Sequence, residues 1–244
     1  MNVFRGSAKS HWLPLTTGML VAIFSSVGCA SAEEEESVDS SNLTDSSAVY
    51  HVQIDWKEKD GSTVTRRCTG FLVSRSSLIT ASHCFPNALS NPGFSDQRIQ
   101  AWNVVTKASL GCNAHSCALG SMLRDRDVAK INVSAPAGAA TVRLIDADYT
   151  AKNGKSVPSL SFYTNSRPGS SPAGWSMKKV DTSGKLSQAG SSSTFKIFLT
   201  GTNTVLGDSG GPLFDAQGRV VGSIVSQNEA TYFGMSAVRS FVLD

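Results

Sequence analysis

The stretch Gly207-Asp208-Ser209-Gly210-Gly211-Pro212-Leu213 constrains this chain more than any other. Three glycines and a proline within seven residues suit neither a helix nor an uninterrupted strand. They let the backbone turn sharply and admit another segment against it, because glycine has no Cβ to block either. A serine in the middle of such a turn is displayed with backbone N–H groups beside it. Acyl transfer needs that combination: a hydroxyl nucleophile, and donors aimed where a carbonyl oxygen becomes negative. The plainer reading of the same residues is a tight hairpin whose Asp and Ser only cap backbone groups.

A serine hydroxyl at its ordinary pKa is a poor nucleophile and needs a base, most often a histidine held by a carboxylate. The chain has His11, His51, His83 and His115. Only His83 has a suggestive setting, Leu78-Ile79-Thr80-Ala81-Ser82-His83-Cys84, where an apolar strand runs into small residues. The orienting acid is sought at the head of a strand. Asp127 in Arg126-Asp127-Val128-Ala129 opens the alternating stretch Val128 to Val133. Asp125 lacks the following Val-Ala and reads as a solvated loop residue.

Thr80-Ala81-Ser82-His83-Cys84, Asp127-Val128-Ala129 and Gly207-Asp208-Ser209-Gly210-Gly211-Pro212 together resemble the three signature blocks of the chymotrypsin/trypsin-like serine proteases. They occur in that family's order, His then Asp then Ser, which differs from the order in subtilisins and α/β-hydrolases. The resemblance spans residues 48–244, and Ser82 stands where the family usually has alanine. It implies a catalytic set of His83, Asp127 and Ser209, with the N–H groups of Gly207 and Ser209 as the oxyanion hole. It implies a disulfide between Cys68 and Cys84, which pins the histidine loop to the barrel wall. Ser226 matches the family serine that hydrogen-bonds the aspartate.

Two departures accompany the resemblance. No Ile-Val-Gly-Gly or close variant lies between Glu33 and Tyr50, so Asp208 lacks the freed amine that pairs with it in family members cut from a zymogen. Two routes are open: a second cleavage within Glu33–Ser47 that releases a soluble active form, or an internal basic group beside Asp208, the favoured substitute, with the tethered enzyme already active. Val205 replaces a cystine that many animal members carry, as in simpler bacterial members. The position six before the serine, aspartate in members that cut after Lys or Arg, is Asn203. Val225 stands where glutamate-specific members place a histidine. Asn203, Thr204, Ser226, Gln227 and Asn228 are therefore expected to line a pocket for uncharged side chains, with Glu229 the one acid able to reach inward.

Residues 1–32 read as an export signal: Arg5 and Lys9 give a basic start, and the apolar run ending at Phe24 is too short and interrupted for a membrane span. Ala30-Ser31-Ala32 reads as a cleavage site, while Val27-Gly28-Cys29 resembles a lipobox, with Cys29 as the lipidated residue and membrane anchor. Residues 33–47, acidic and then polar, cannot bury enough surface to order themselves and read as a tether. Setting Cys29 aside leaves an even set, Cys68, Cys84, Cys112 and Cys117, as expected of an exported protein. Cys112 and Cys117 would close a small local loop; with His115 they lack a fourth ligand, so no metal and no cofactor is expected. With Arg5 and Lys9 set aside, the net charge of +3 falls to about +1, which points to no nucleic-acid partner.

The body reads as all-β. Short strands rich in Val, Ile, Thr and aromatics are expected at 49–55, 68–74, 77–80, 99–105, 128–133, 157–163, 194–200 and 220–226, with Gly, Asn, Asp and Ser between them. Asp215-Ala216-Gln217-Gly218 reads as a hairpin turn, and Ser236 to Leu243 as a closing helix. The resemblance implies two packed antiparallel β-barrels of the trypsin-like type, divided as 48–148 and 149–244, with the site in the cleft between them. The function expected is that of an exported serine endopeptidase, secreted or lipid-anchored in the cell envelope, acting as a monomer on protein or peptide substrates. The alternatives are a catalytically silent binding protein of the same fold and an envelope lipoprotein in which the barrels are a scaffold.

Overall fold

Paired β-branched and aromatic residues on neighbouring strands build this molecule. A computed structural model describes residues 45–86, 95–111, 117–148, 150–165, 176–188 and 194–244. The expected export signal, the expected tether up to residue 44 and Cys29 lie outside the described residues. The first sheet contains β1 (Val49–Lys57), β2 (Thr63–Ser74), β3 (Ser77–Thr80), β4 (Ser95–Asn103), β5 (Ala118–Leu123) and β6 (Val128–Asn132). Its order is β4-β1-β2-β3-β6-β5, an antiparallel half-barrel.

The second sheet contains β7 (Arg143–Leu144), β8 (Ser156–Asn165), β9 (Met177–Gln188), β10 (Phe195–Thr200), β11 (Pro212–Phe214), β12 (Arg219–Ser226) and β13 (Glu229–Tyr232). Because β11 pairs with both β8 and β12, six of these strands close into a barrel, and β7 adds to the edge of β12 in parallel. The expected division at 148/149 therefore falls after the first strand of the second sheet. The chain ends in α1 (Ser236–Leu243). The architecture is all-β, a trypsin-like double barrel with a short C-terminal helix.

The runs Phe71-Leu72 and Leu78-Ile79 are apolar without a break because both faces of these strands are covered. Leu72, Leu78, Ala129 and Ile131 point into the first sheet's own core with Val52, Ile54 and Ile99. Phe71, Ile79 and Val128 point the other way, against Phe214, Val220, Phe233, Val238 and Val242. A third cluster, including Leu160, Phe162, Ile197, Leu213 and Ile224, fills the closed barrel. Val238 and Val242, four residues apart, give α1 a single buried edge. The same helix lays Phe241 under the Lys130 ammonium, 5.4 Å from the ring centre.

Candidate active site

His83 lies in a single 3-10 turn, Ser82–Cys84, at the end of β3. Three features fix that turn. Cys84 is bonded to Cys68 on β2. The Arg66 guanidinium donates to the His83 carbonyl at 2.7 Å and lies 5.9 Å from the centre of the Trp56 ring. The third is Asp127, which opens β6 with φ at 54°, a left-handed conformation uncommon for a residue with a Cβ. The preceding Arg126 carbonyl accepts the Thr231 hydroxyl of β13 and so ties this corner to the second sheet.

The Asp127 carboxylate is gripped from one side. Its Oδ2 meets His83 Nδ1 at 2.6 Å, and its Oδ1 accepts the His83 N–H and the Ser82 hydroxyl, both at 2.8 Å. Burial alone would push this carboxyl up; the bonds and charge of His83, with the Ser82 hydroxyl, outweigh it and hold the group below its ordinary value. Asp125 is exposed and, among the described residues, pairs only with Arg126, at 3.4 Å. His51 is buried on β1 and is driven down to about 3, first by burial and then by Lys107, so it is held neutral. His11 and His115 lie outside the described residues.

Ser209 comes from the second sheet's side, on the turn that leads into β11. Gly207 at φ 99° and Gly210 at φ 84° supply that turn's left-handed positions. The N–H groups of Asp208, Gly210 and Gly211 are spent on the carbonyls of Val205, Ile224 and Asp208. Those of Gly207 and Ser209 donate to no acceptor among the described residues. One of these two unspent donors is the serine's own N–H and the other lies two residues before it. Ser209 Oγ rests 3.5 Å from the Val225 carbonyl, without a hydrogen bond to the imidazole. Ser209 and His83 nevertheless line one cavity of about 560 Å³, with Gly207, Leu206, Asn165 and Thr65 to Cys68.

Asp208 is wholly buried, and its partners are neutral. Oδ2 accepts the Thr164 hydroxyl and the Val205 N–H, and Oδ1 accepts the Asn165 N–H, all at 2.8 Å. Burial raises its pKa and these three donors reduce the rise without cancelling it. The expected basic group is thus replaced by three uncharged donors, two of them backbone.

Ser226 is the second correction. It is exposed at the end of β12, its carbonyl accepts the Thr204 hydroxyl at 3.0 Å, and its own hydroxyl has no partner among the described residues. Ser82 binds the aspartate instead. Of the expected pocket residues, Asn203 and Gln227 are exposed, Thr204 is buried, and Asn228 takes φ 61° with its carbonyl on the Leu199 N–H. None of these five belongs to the wall of the 560 Å³ cavity. Glu229 pairs with Lys196 at 2.7 Å on the outer face of the barrel.

A family model described as the trypsin-like peptidase domain matches residues 68–222, which include His83, Asp127 and Ser209. The chain belongs to the trypsin-like peptidase family. That membership supports a serine-protease type of function with protein substrates. No curated protein matches the chain. In this family member, Cys117 is also disulfide-bonded, while its expected partner Cys112 lies outside the described residues. Among the described residues no group of His, Cys, Asp and Glu is placed to hold a metal, and no helix is long and apolar enough to cross a membrane.

Proposed function

We propose that this protein is a serine endopeptidase that cleaves peptide bonds through Ser209, His83 and Asp127 by way of an acyl-enzyme. One observation carries the reading: a histidine bound to a partly buried carboxylate shares a cavity with a serine whose own N–H and that of Gly207 are unspent. Rotation of the serine about its Cα–Cβ bond moves Oγ from the Val225 carbonyl toward the imidazole. His83 Nε2 then takes the hydroxyl proton as Oγ attacks the scissile carbonyl. The oxyanion settles on the Gly207 and Ser209 N–H groups, each worth about 3 kcal/mol in the transition state. His83 returns the proton to the departing amine, and water repeats the sequence on the acyl-enzyme. Asp127 keeps the proton on Nδ1 and steadies the imidazolium.

The protein is further proposed to act after export, secreted or held at the envelope through Cys29. The Cys68–Cys84 bond supports this, since disulfides persist mainly in oxidising compartments. The competing reading, a silent binding protein, draws on the resting place of Ser209 Oγ beside Val225. A fluorophosphonate probe separates the two. Stoichiometric labelling that vanishes in Ser209→Ala, with peptide hydrolysis falling in parallel, supports the enzyme; an unlabelled, properly folded wild type supports the binding protein.

A further inference from the structure

We propose that Ser82 is a positioning residue for the acid–base pair, doing in this chain what the resemblance assigned to Ser226. The inference rests on the catalytic reading above and adds a residue to it. Its ground is the distribution of donors around Asp127. All three hydrogen bonds to that carboxylate come from two consecutive residues, Ser82 and His83, within one 3-10 turn. Ser82 is 2 % exposed, so its hydroxyl has no bulk water to turn to and is committed to Oδ1. Ser226, by contrast, is exposed and belongs to the second sheet.

This arrangement alters what orients the imidazole. Without Ser82 the carboxylate keeps a single donor on each oxygen, both from His83. The Ser82 hydroxyl is a second, independent donor on Oδ1 and narrows the rotation about Cβ–Cγ that sets how Oδ2 faces Nδ1. The turn is pinned by the Cys68–Cys84 bond and the Arg66 guanidinium, so every donor to the Asp127 carboxylate comes from the first sheet's side, and the second sheet reaches this corner only through the Thr231 hydroxyl on the Arg126 carbonyl. The remaining task of the second sheet is to bring up Ser209.

The Ser82→Ala variant removes one hydroxyl from a buried site and leaves the fold's apolar packing in place. It is expected to lower kcat roughly ten-fold with KM within two-fold, the pattern of a lost transition-state interaction. A carboxylate with one donor fewer presents more negative charge to the imidazolium, so the acid limb of the pH–rate profile moves to higher pH. The low-field proton resonance of the Nδ1–H···Asp127 bond shifts as well, a readout that does not need turnover. Ser82→Thr restores most of the rate and returns the resonance toward its original position. Ser226→Ala leaves all three measurements near wild type. An indifferent resonance and rate in Ser82→Ala, or losses found in Ser226→Ala instead, overturn the proposal. A wild type whose Ser209 does not react with the fluorophosphonate overturns the catalytic reading, whereas a reactive wild type with an indifferent Ser82→Ala overturns this one alone.

Discussion

The Thr69 hydroxyl donates to the Gly207 carbonyl at 2.7 Å, joining the first sheet to the nucleophile turn. The Thr69 N–H donates to the Ser209 carbonyl at 2.8 Å, so one residue of β2 holds the backbone on both sides of Asp208. The Thr69 carbonyl in turn accepts the Thr80 hydroxyl at 2.7 Å, and Thr80 lies on the strand that delivers His83. His83 and Ser209 are therefore registered through two buried threonines rather than through their own side chains, which share no hydrogen bond.

Thr69→Val keeps shape and burial but removes that hydroxyl. The Gly207 carbonyl then loses its partner at a partly buried site, and about 1 kcal/mol of stability should go with it. The rate should fall further than KM rises, because the turn that presents the two N–H groups is loosened. Denaturant unfolding and steady-state kinetics on Thr69→Val and Thr69→Ser check this; Ser retains the donor and should stay close to wild type.

Gly210 shows how tightly the turn is pressed against the first sheet. A Cβ there would run into Thr80 Oγ1, the Thr69 carbonyl and the Ala81 N–H, at a φ of 84° that L residues rarely adopt. Gly210→Ala should cost on the order of 3 kcal/mol or more and leave little folded protein. Gly207→Ala meets only Asn165 Nδ2, at 3.3 Å, and should fold while losing activity through backbone strain. Thermal melts of the two variants rank them.

Asp208 bears on how activity is switched on. Its oxygens already accept Thr164, Val205 and Asn165, three of the roughly four hydrogen bonds a carboxylate can take, and no amine is among these donors. The uncut chain with a blocked amino terminus is expected to be fully active. Thr164→Val strips one donor from a buried carboxylate whose pKa is already raised, and should lower both stability and rate. N-terminal sequencing of the active species, paired with its specific activity before and after any cleavage, checks the first point.

The pH dependence of stability follows from Asp127. Its folded-state pKa lies below the ordinary 3.8, so its contribution is fully present above 3.8 and is lost as pH falls through the folded value. Asp208 has the opposite sign: its ionisation removes stability as pH rises from 3.8 through its raised value. Asp127→Asn leaves Asp208 untouched, so the stability difference between wild type and Asp127→Asn isolates the first effect. Denaturant unfolding from about pH 2 to about pH 6 should give a difference that is flat above 3.8 and shrinks below it.

The chemistry of the site was more legible in the sequence than its support. His83, Asp127 and Ser209 lie in short motifs whose spacing survives without any knowledge of the fold, and β3 shows itself as an apolar run because both its faces are covered. β9 does not: its inward positions Val180, Thr182, Gly184 and Leu186 alternate with exposed Asp181, Ser183 and Lys185, but Thr and Gly among them leave little apolar signal, and pairing with β8 and β10 holds it in place. β11 is three residues inside a Gly-Pro turn and becomes a strand only by closing the barrel. The donors to Asp208 are largely backbone N–H groups, which leave no side-chain signal. Ser82 did leave one, a serine in place of the usual alanine, but its meaning depends on Asp127 being brought beside it.

Glu229 is the acid at which a preference for cationic substrates would have to arise, and it is held by Lys196. Asn203 offers no charge to a bound Lys or Arg, and the one nearby acid expected to reach inward is held by Lys196 at 2.7 Å. Glu229 and Lys196 sit on the outer face of β13 and β10, while their neighbours Ala230 and Ile197 fill the barrel core. A cationic side chain buried without a counter-charge is penalised by several kcal/mol, more than a good fit recovers. Neutral residues should therefore dominate on the acyl side of the cleaved bond in a peptide-library profile, and Glu229→Gln should leave that profile unchanged. Lys196→Met, which frees the carboxylate, is the sharper test: any gain in cleavage after Arg should be small, because Glu229 faces away from the barrel core. A wild-type profile dominated by Arg or Lys that collapses in Glu229→Gln would show that the ion pair opens to meet the substrate.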